Sequence, residues 1–528
     1  MRSSDAPMTT PSSPGGETLW RHVMHLRSPR AVVHTLRALV ERPVRHRRHK
    51  VLRQGHRAPP GLWWSGDDRW FPADFPPRQG NRLTPLVDGQ DAMQAMYDAI
   101  EHACASIYLT GWFITPQMRM LRPPDDPEEP SAGMGGPHAL LPLLARKADE
   151  VDVRVLLWPG AVLGKFARRH VRATHRALVQ ANPRLRARLD THEKLGHCHH
   201  QKSLVIDGRV AFVGGLDVTA FDADRWDVHE HTFRRSRNWH DVHWQIEGPC
   251  AADVAANFAQ RWNAVAPCDP VPTTPACDSA TLPDGVVAQV QRTIPQRLYP
   301  FVPRGIYGIA HAYCHAIARA ESFIYLESQY LWSPEITDAL CEAIRRGHRS
   351  GLRVAIVLPA HPNVGKADTD RHLERLLEAD AGGGACRAYT LYTSWWDATQ
   401  QRYQYRPIYV HAKVAVVDDA WATAGSANLN GRGLATDSEI NVSTTDSSAA
   451  RELRLRLWAE HLGCTEDDLR HAEPVAILDG RWAEAAYAQQ RIVTRRSGPL
   501  TAALYPYPRG HIMADFGPGE VESALLDR

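Results

Sequence analysis

The chain has 528 residues, 43% apolar and 23% charged, with a net charge of +3 and nine scattered cysteines. That is enough chain for two or three domains with sizeable cores, in proportions ordinary for a globular protein. The odd cysteine count without any CxxC points to a reducing compartment rather than a disulfide framework, and the charge is too small to argue for nucleic acid by itself.

Residues 1–80 lack a core-like pattern and read as a basic amino-terminal extension. Residues 1–17 are polar, without the apolar stretch of a secretory signal. The segment 27–57 is crowded with arginine and histidine, and Val32, Val33, Leu36, Leu39 and Val40 would share one helical face. A solvated extension with a short docking helix is favoured there over a helix resting on anionic lipid or nucleic acid. No apolar run reaches the about 20 residues of a membrane span, so the expected location is cytoplasmic, with contact to a membrane only from outside.

From residue 81 the texture becomes that of a packed domain. A short strand at Leu86-Val87 is followed by a helix over 91–104, a strand over 107–113, a helix over 140–147 and a strand over 151–158. A basic, partly helical stretch over 166–189 comes next. Residues 264–284, rich in Pro, Thr, Asp and Ala, read as a linker. A second series then repeats the order: helix 309–319, strand 323–330, helix 334–346, strand 352–358 and helix 370–377, with a last helix over 449–462. Matching residues stand 217 apart (Ile107 and Ile324), 199 apart (Arg154 and Arg353) and 211 apart (His200 and His411). The expected fold is therefore α/β, with two similar α/β/α sandwich halves from an internal duplication, packed face to face around one shared active site. The expected boundaries are 81–264 for the first half, 265–284 for the linker, 285–470 for the second half and 471–528 for a carboxy-terminal tail.

Each half carries one stretch with the same chemistry. His200, Lys202 and Asp207 repeat as His411, Lys413 and Asp418, each aspartate seven residues before a glycine, Gly214 or Gly425. On a strand, i and i+2 share a face, so each histidine projects with its lysine. Asp207-Gly208 reads as a hairpin turn, with residues 209–213 returning beside the first strand. One such HxK is weak; two with equal downstream spacing are not. His197, Cys198 and His199 lack the companion spacing of a metal site.

This duplicated HxKxxxxD resembles the signature of the phospholipase D superfamily over about residues 82–465. Gly214-Gly-Leu-Asp217, Arg225-Trp-Asp227, Trp239-His-Asp241, Gly248-Pro249, Arg261-Trp-Asn263, Gly425-Ser-Ala-Asn428 and Asp437-Ser-Glu-Ile-Asn441 are similar to its eukaryotic-type branch. Glu327-Ser-Gln329 is similar to a Glu-Asn-Gln element there, with Ser328 departing from it. No amino-terminal lipid-binding module of that branch is recognisable.

The resemblance implies that His200 attacks phosphorus to form a phosphohistidine while His411 protonates the leaving alcohol and later deprotonates water. Lys202 and Lys413 would face the non-bridging oxygens, and Asp207 and Asp418 would accept from the far ring nitrogens. Ser426 and Asn428, with Gly215 and Asp217 in the matching places, and Glu327 and Gln329 complete the expected substrate-binding set. The cations take the part often given to a metal, so neither metal nor cofactor is expected. The expected partners are a phospholipid at a membrane surface and water or a small alcohol as acceptor; nucleic acid is disfavoured, and a monomer suffices for one site. Competing readings are a cardiolipin-synthase-like phosphatidyltransferase, which usually carries amino-terminal spans not seen here, a nucleic-acid phosphodiesterase or nuclease, and a catalytically silent membrane-binding scaffold.

Overall fold

A computed structural model describes residues 75–122, 134–160, 165–192, 197–221, 223–234, 236–272, 282–347 and 350–509. The basic segment 27–57 and most of the extension expected over 1–80 lie outside them. The first half runs β1 (Arg78–Val87), α1 (Asp88–Glu101), β2 (Ser106–Gly111), α2 (Leu140–Lys147), β3 (Asp152–Leu157), α3 (Lys165–Ala181), β4 (Arg186–Leu189), β5 (Ser203–Ile206), β6 (Val210–Gly214), β7 (Trp239–His240), β8 (Val242–Glu247) and α4 (Pro249–Val265). The second runs β9 (Val286–Ile294), β10 (Ile306–Tyr307), α5 (Gly308–Arg319), β11 (Phe323–Ser328), α6 (Pro334–Gly347), β12 (Arg353–Val357), α7 (Lys366–Asp380), β13 (Cys386–Asp397), β14 (Arg402–Val410), β15 (Lys413–Val417), β16 (Trp421–Gly425), β17 (Glu439–Thr444) and α8 (Ser447–Leu462).

The strand order states the duplication directly. The first sheet reads β4-β3-β2-β5-β6-β8-β1, its first three strands parallel and the rest antiparallel. The second reads β13-β12-β11-β15-β16-β17-β9 with the same directions. The parallel strands β3 and β12 are buried on both faces, as crossover helices require, and are apolar apart from Asp152, Arg154 and Arg353. Two ladders tie the halves together. One is antiparallel between β1 and β9, and the other is a two-residue parallel pairing of Tyr409-Val410 in β14 with Trp239-His240 in β7.

One apolar core crosses both sheets, from Val205, Val213 and Trp244 through Val290 to Tyr325, Val414 and Ile440. A second core in the first half packs Met93, Met96 and Ile100 of α1 and Leu140, Leu143 and Leu144 of α2 against Ile107, Leu109, Val153 and Val155. α8 sits inside the shared core, and Ala450, Leu453, Leu455, Leu457 and Trp458 are buried around most of its circumference. Its ends are well specified. The Asp446 side chain accepts from the amides of Ser448 and Ala449 at 3.0 and 3.1 Å, and Gly463 stops the helix at φ 63°.

Two boundaries differ from expectation. β1 begins at Arg78 and runs for ten residues, so the first half opens ahead of residue 81. Pro85, just ahead of the short strand expected at Leu86-Val87, lies within β1 and pairs with Trp244, past Asn81, where the β1–β9 ladder ends. The expected tail is part of the second half: Leu504–Pro506, here β18, pairs with β13, and Trp482 is fully buried in the shared core.

Candidate active site

Both HxKxxxxD stretches run into a strand that ends in a two-residue turn. Asp207 and Gly208 have φ of 55° and 66°, and Asp418 and Asp419 of 55° and 51°, the left-handed pair of a type I′ hairpin. Asp207 accepts hydrogen bonds from the backbone amides of Cys104, Ala105 and Ser106 at 2.9, 2.7 and 2.7 Å. Asp418 does the same for Glu321, Ser322 and Phe323 at 2.8, 2.9 and 2.7 Å. The expectation that these aspartates orient the imidazoles is therefore corrected. Seven residues of largely extended chain, about 3.3 Å each, put them roughly 20 Å from the histidines. They fasten each hairpin to the start of the neighbouring parallel strand.

The groups that do hold the rings come from the opposite half. His200 Nδ1 lies 2.9 and 3.0 Å from the two carboxylate oxygens of Glu439 on β17, and 3.1 Å from the Ser426 carbonyl. His411 Nδ1 lies 2.6 Å from Asp241 Oδ2, between β7 and β8. The backbone follows the same exchange: His200 N donates to Ser438 O at 2.9 Å and His411 N to His240 O at 2.8 Å. Among the described residues no protein group takes up either Nε2, so these two atoms are left for a substrate.

Asp241 and Glu439 lie outside the HxKxxxxD motifs, within the segments Trp239-His-Asp241 and Asp437-Ser-Glu-Ile-Asn441. The signal lay in the duplication. Across the β6–β8 ladder Gly214 faces His243, and across β16–β17 Gly425 faces Asn441, so each acid stands two residues before the partner of the motif's glycine. Gly215, expected to contact substrate, makes room for the acid instead: a Cβ there would lie 2.1 Å from Asp241 Oδ1. Ser426, in the matching place, donates through Oγ to Glu439 Oε2 and accepts from Ile440 N at 3.0 Å.

Lys202 and Lys413 are both buried. Lys202 Nζ donates to the carbonyl of His200 at 2.9 Å and lies 3.2 Å from Asp217 Oδ2, while Lys413 Nζ donates to the His411 carbonyl. Asp217 thus neutralises a lysine, and its other oxygen accepts from Trp112 N at 2.8 Å. Asn428, in the matching place, carries no charge; its amide donates to Gln329 Oε1 at 3.3 Å, and Gln329 donates to Tyr409 Oη at 2.9 Å. Glu327 departs from expectation: fully buried, it receives His240 Nε2 at 2.8 Å and His461 Nε2 at 3.1 Å, behind the site.

Desolvation governs the electrostatics. Burial holds His200 well below the ordinary histidine range, reinforced by the ammonium groups of Lys202 and Lys413. His411 is lowered the same way, by burial and then by Lys413 and Arg225. Burial brings Lys413 down to about 7 against the pull of Asp241. Both rings are thus neutral until an anion enters between them. The His197–His199 stretch is engaged elsewhere: His199 Nδ1 lies 2.8 Å from Ser438 Oγ, and its Nε2 is 3.3 Å from Asp190 Oδ1.

A family model described as "Phospholipase D" matches residues 234–338, and one described as "Cardiolipin synthase, PLD-like domain" matches residues 313–459. Phospholipase D alpha 4 of Arabidopsis thaliana is 26% identical over 77% of this chain and 70% of its own length. Phospholipase D A of Dictyostelium discoideum is 27% identical over 74% of this chain and 36% of its own length. The chain belongs to the phospholipase D superfamily. Its curated relatives place it in the eukaryotic-type branch of that superfamily. A phosphatidylserine synthase of Haemophilus influenzae Rd KW20 is similar to it in structure with a TM-score of 0.49 and 15% identity, over 80% of this chain and 97% of that one.

Proposed function

We propose that the protein is a phospholipase D-type phosphodiesterase that hydrolyses glycerophospholipids, or exchanges their headgroup, through a covalent phosphohistidine. The observation that supports this most is the exchange of acids across the halves: two HxK histidines, each anchored at Nδ1 by the other half, present Nε2 as the reactive atom. In-line displacement at phosphorus needs an entering and a leaving group on opposite sides, which two such rings supply.

In this reading His200 Nε2 attacks phosphorus, and the bond to the headgroup oxygen breaks as that oxygen takes the proton from His411 Nε2. Water or an alcohol then gives its proton to His411 Nε2 and displaces His200 from phosphorus. The phosphodiester adds negative charge beside the two lysines, which raises the imidazoles and equips His411 as the acid. Nδ1–H of each ring stays with Asp241 or Glu439 while positive charge develops. Lys202 and Lys413 face the non-bridging oxygens.

The substrate is placed at a membrane surface, and no helix among the described residues is long and apolar enough to cross a membrane. The deciding experiment incubates the protein with vesicles of a phospholipid panel containing ethanol, with labelled single-stranded DNA in parallel. Phosphatidylethanol and phosphatidic acid are expected. DNA cleavage without either lipid product would replace this reading with a nuclease. Cardiolipin formed from phosphatidylglycerol alone would favour the phosphatidyltransferase, the reading that the match over residues 313–459 supports.

A further inference from the structure

Behind the site lies a second convergence of side chains that the displacement chemistry does not use. Asp88 at the start of α1, His231 in the loop before β7, His240 on β7 and Glu460 near the end of α8 bring their ligand atoms within 4.8 Å of one another. Their side chains are 0, 2, 0 and 6% exposed. His240 Nδ1 stands 3.1 Å from Asp88 Oδ1 and 3.0 Å from Glu460 Oε1. His231 Nε2 stands 3.4 Å from Asp88 Oδ2 and 3.3 Å from Glu460 Oε1. An ion about 2.0–2.1 Å from four tetrahedral ligands has ligand–ligand edges of roughly 3.3 Å, and these four nitrogen–oxygen distances bracket it, with Asp88 offering a different oxygen to each histidine.

Hydrogen bonding leaves the cluster incompletely satisfied. Asp88 Oδ2, His240 Nδ1 and Glu460 Oε2 are buried without a hydrogen bond of acceptable geometry. Each histidine also has an acid at its far nitrogen: Glu327 Oε2 lies 2.8 Å from His240 Nε2, and Asp227 Oδ2 lies 3.5 Å from His231 Nδ1. For His240 that is the carboxylate–histidine–metal arrangement that fixes the ring of a ligand, whereas His231 Nδ1 faces Asp227 without a hydrogen bond.

We infer that Asp88, His231, His240 and Glu460 form a binding site for a first-row divalent cation, with zinc the best match. Two imidazoles and two carboxylates are the borderline-to-hard donors such ions take, and the two carboxylates balance a 2+ charge. Four protein ligands in a buried site leave no open position, so the ion is structural. It joins α8 of the second half to three ligands of the first. It also fixes His240, the neighbour of Asp241. His229, 37% exposed on its side chain with Nδ1 3.8 Å from Glu460 Oε2, marks the access route.

This inference goes beyond the proposed activity and does not rest on it. The full-length protein is purified without added metal and assayed by elemental analysis. It is then stripped with a chelator and titrated with Co²⁺ and Zn²⁺, with visible absorption and thermal unfolding as readouts. About one ion per chain, the intense visible bands of four-coordinate Co²⁺ and a higher Tm with Zn²⁺ are expected. Glu460→Gln should raise the Co²⁺ dissociation constant at least 100-fold, and Glu327→Gln by about 10–100-fold. Folded wild-type protein that binds neither ion and shows no shift in Tm would overturn the site and leave an imidazolium–carboxylate network in its place. Undiminished binding by Glu460→Gln would overturn the ligand set.

Discussion

At the scale of single residues, what a histidine can do is set by the group on its other nitrogen. Asp241 and Glu439 occupy that position, and Asp207 and Asp418 bind backbone amides instead. Asp241→Asn and Glu439→Gln should therefore lower kcat by about 10²–10⁴-fold with the fold intact, since an amide offers the ring the wrong partner. Asp207→Asn should chiefly cost stability, about 1–3 kcal/mol, because three backbone amides lose a charged acceptor. Steady-state kinetics beside denaturant unfolding separates the two; a catalytic loss confined to Asp207→Asn would reverse these assignments. The lysines yield a pH prediction. Lys413, lowered by burial to about 7 in the free enzyme, loses its proton as pH rises through that value. kcat/KM should then fall on the alkaline side of about 7. The alkaline limb of kcat should lie higher, because bound phosphodiester favours the ammonium. Coincident limbs in the two profiles would argue that Lys413 does not face the phosphate.

At the scale of elements, the parts that position the site are those whose sequences carry the least periodicity. β7 is a two-residue strand, yet it supplies His240, leads into Asp241 and pairs with the strand that delivers His411. The segment after residue 470 reads as a tail because it ends in Pro/Gly/Tyr-rich stretches. Trp482 within it nevertheless packs against Tyr325, Tyr389 and Trp458 at centroid distances of 5.7, 5.2 and 5.3 Å. Trp482→Ala should destabilise the protein by about 3–5 kcal/mol, read as a lowered denaturant midpoint. A change under about 0.5 kcal/mol would restore the segment to an appendage. α8 was legible as a helix over 449–462, but its place inside the core was not, since a helix buried on most sides shows no polar stripe. The helices α1, α2, α5 and α6 were legible because one apolar face meets a sheet and the other meets water.

At the scale of the whole molecule, the halves exchange acids: each histidine is completed by a carboxylate of the other half. Both rings then serve one reaction. His200→Ala and His411→Ala should each abolish turnover, and the double variant should be no worse than either single one. Additive losses, measured as kcat on a common substrate, would mean two independent sites. The sequence alone determined the two HxK pairs, the hairpin turn at Asp207-Gly208 and the repeat that makes the halves similar. These follow from local spacing, turn chemistry and strand period, and all are readable within a short window. Only the tertiary structure decided which acid faces which ring, that Gly215 admits Asp241, and that Glu327 backs His240. Those contacts join residues 87–239 positions apart, or follow from how β7 and β8 meet β14 and β17. Nothing in the local pattern of either partner encodes the other.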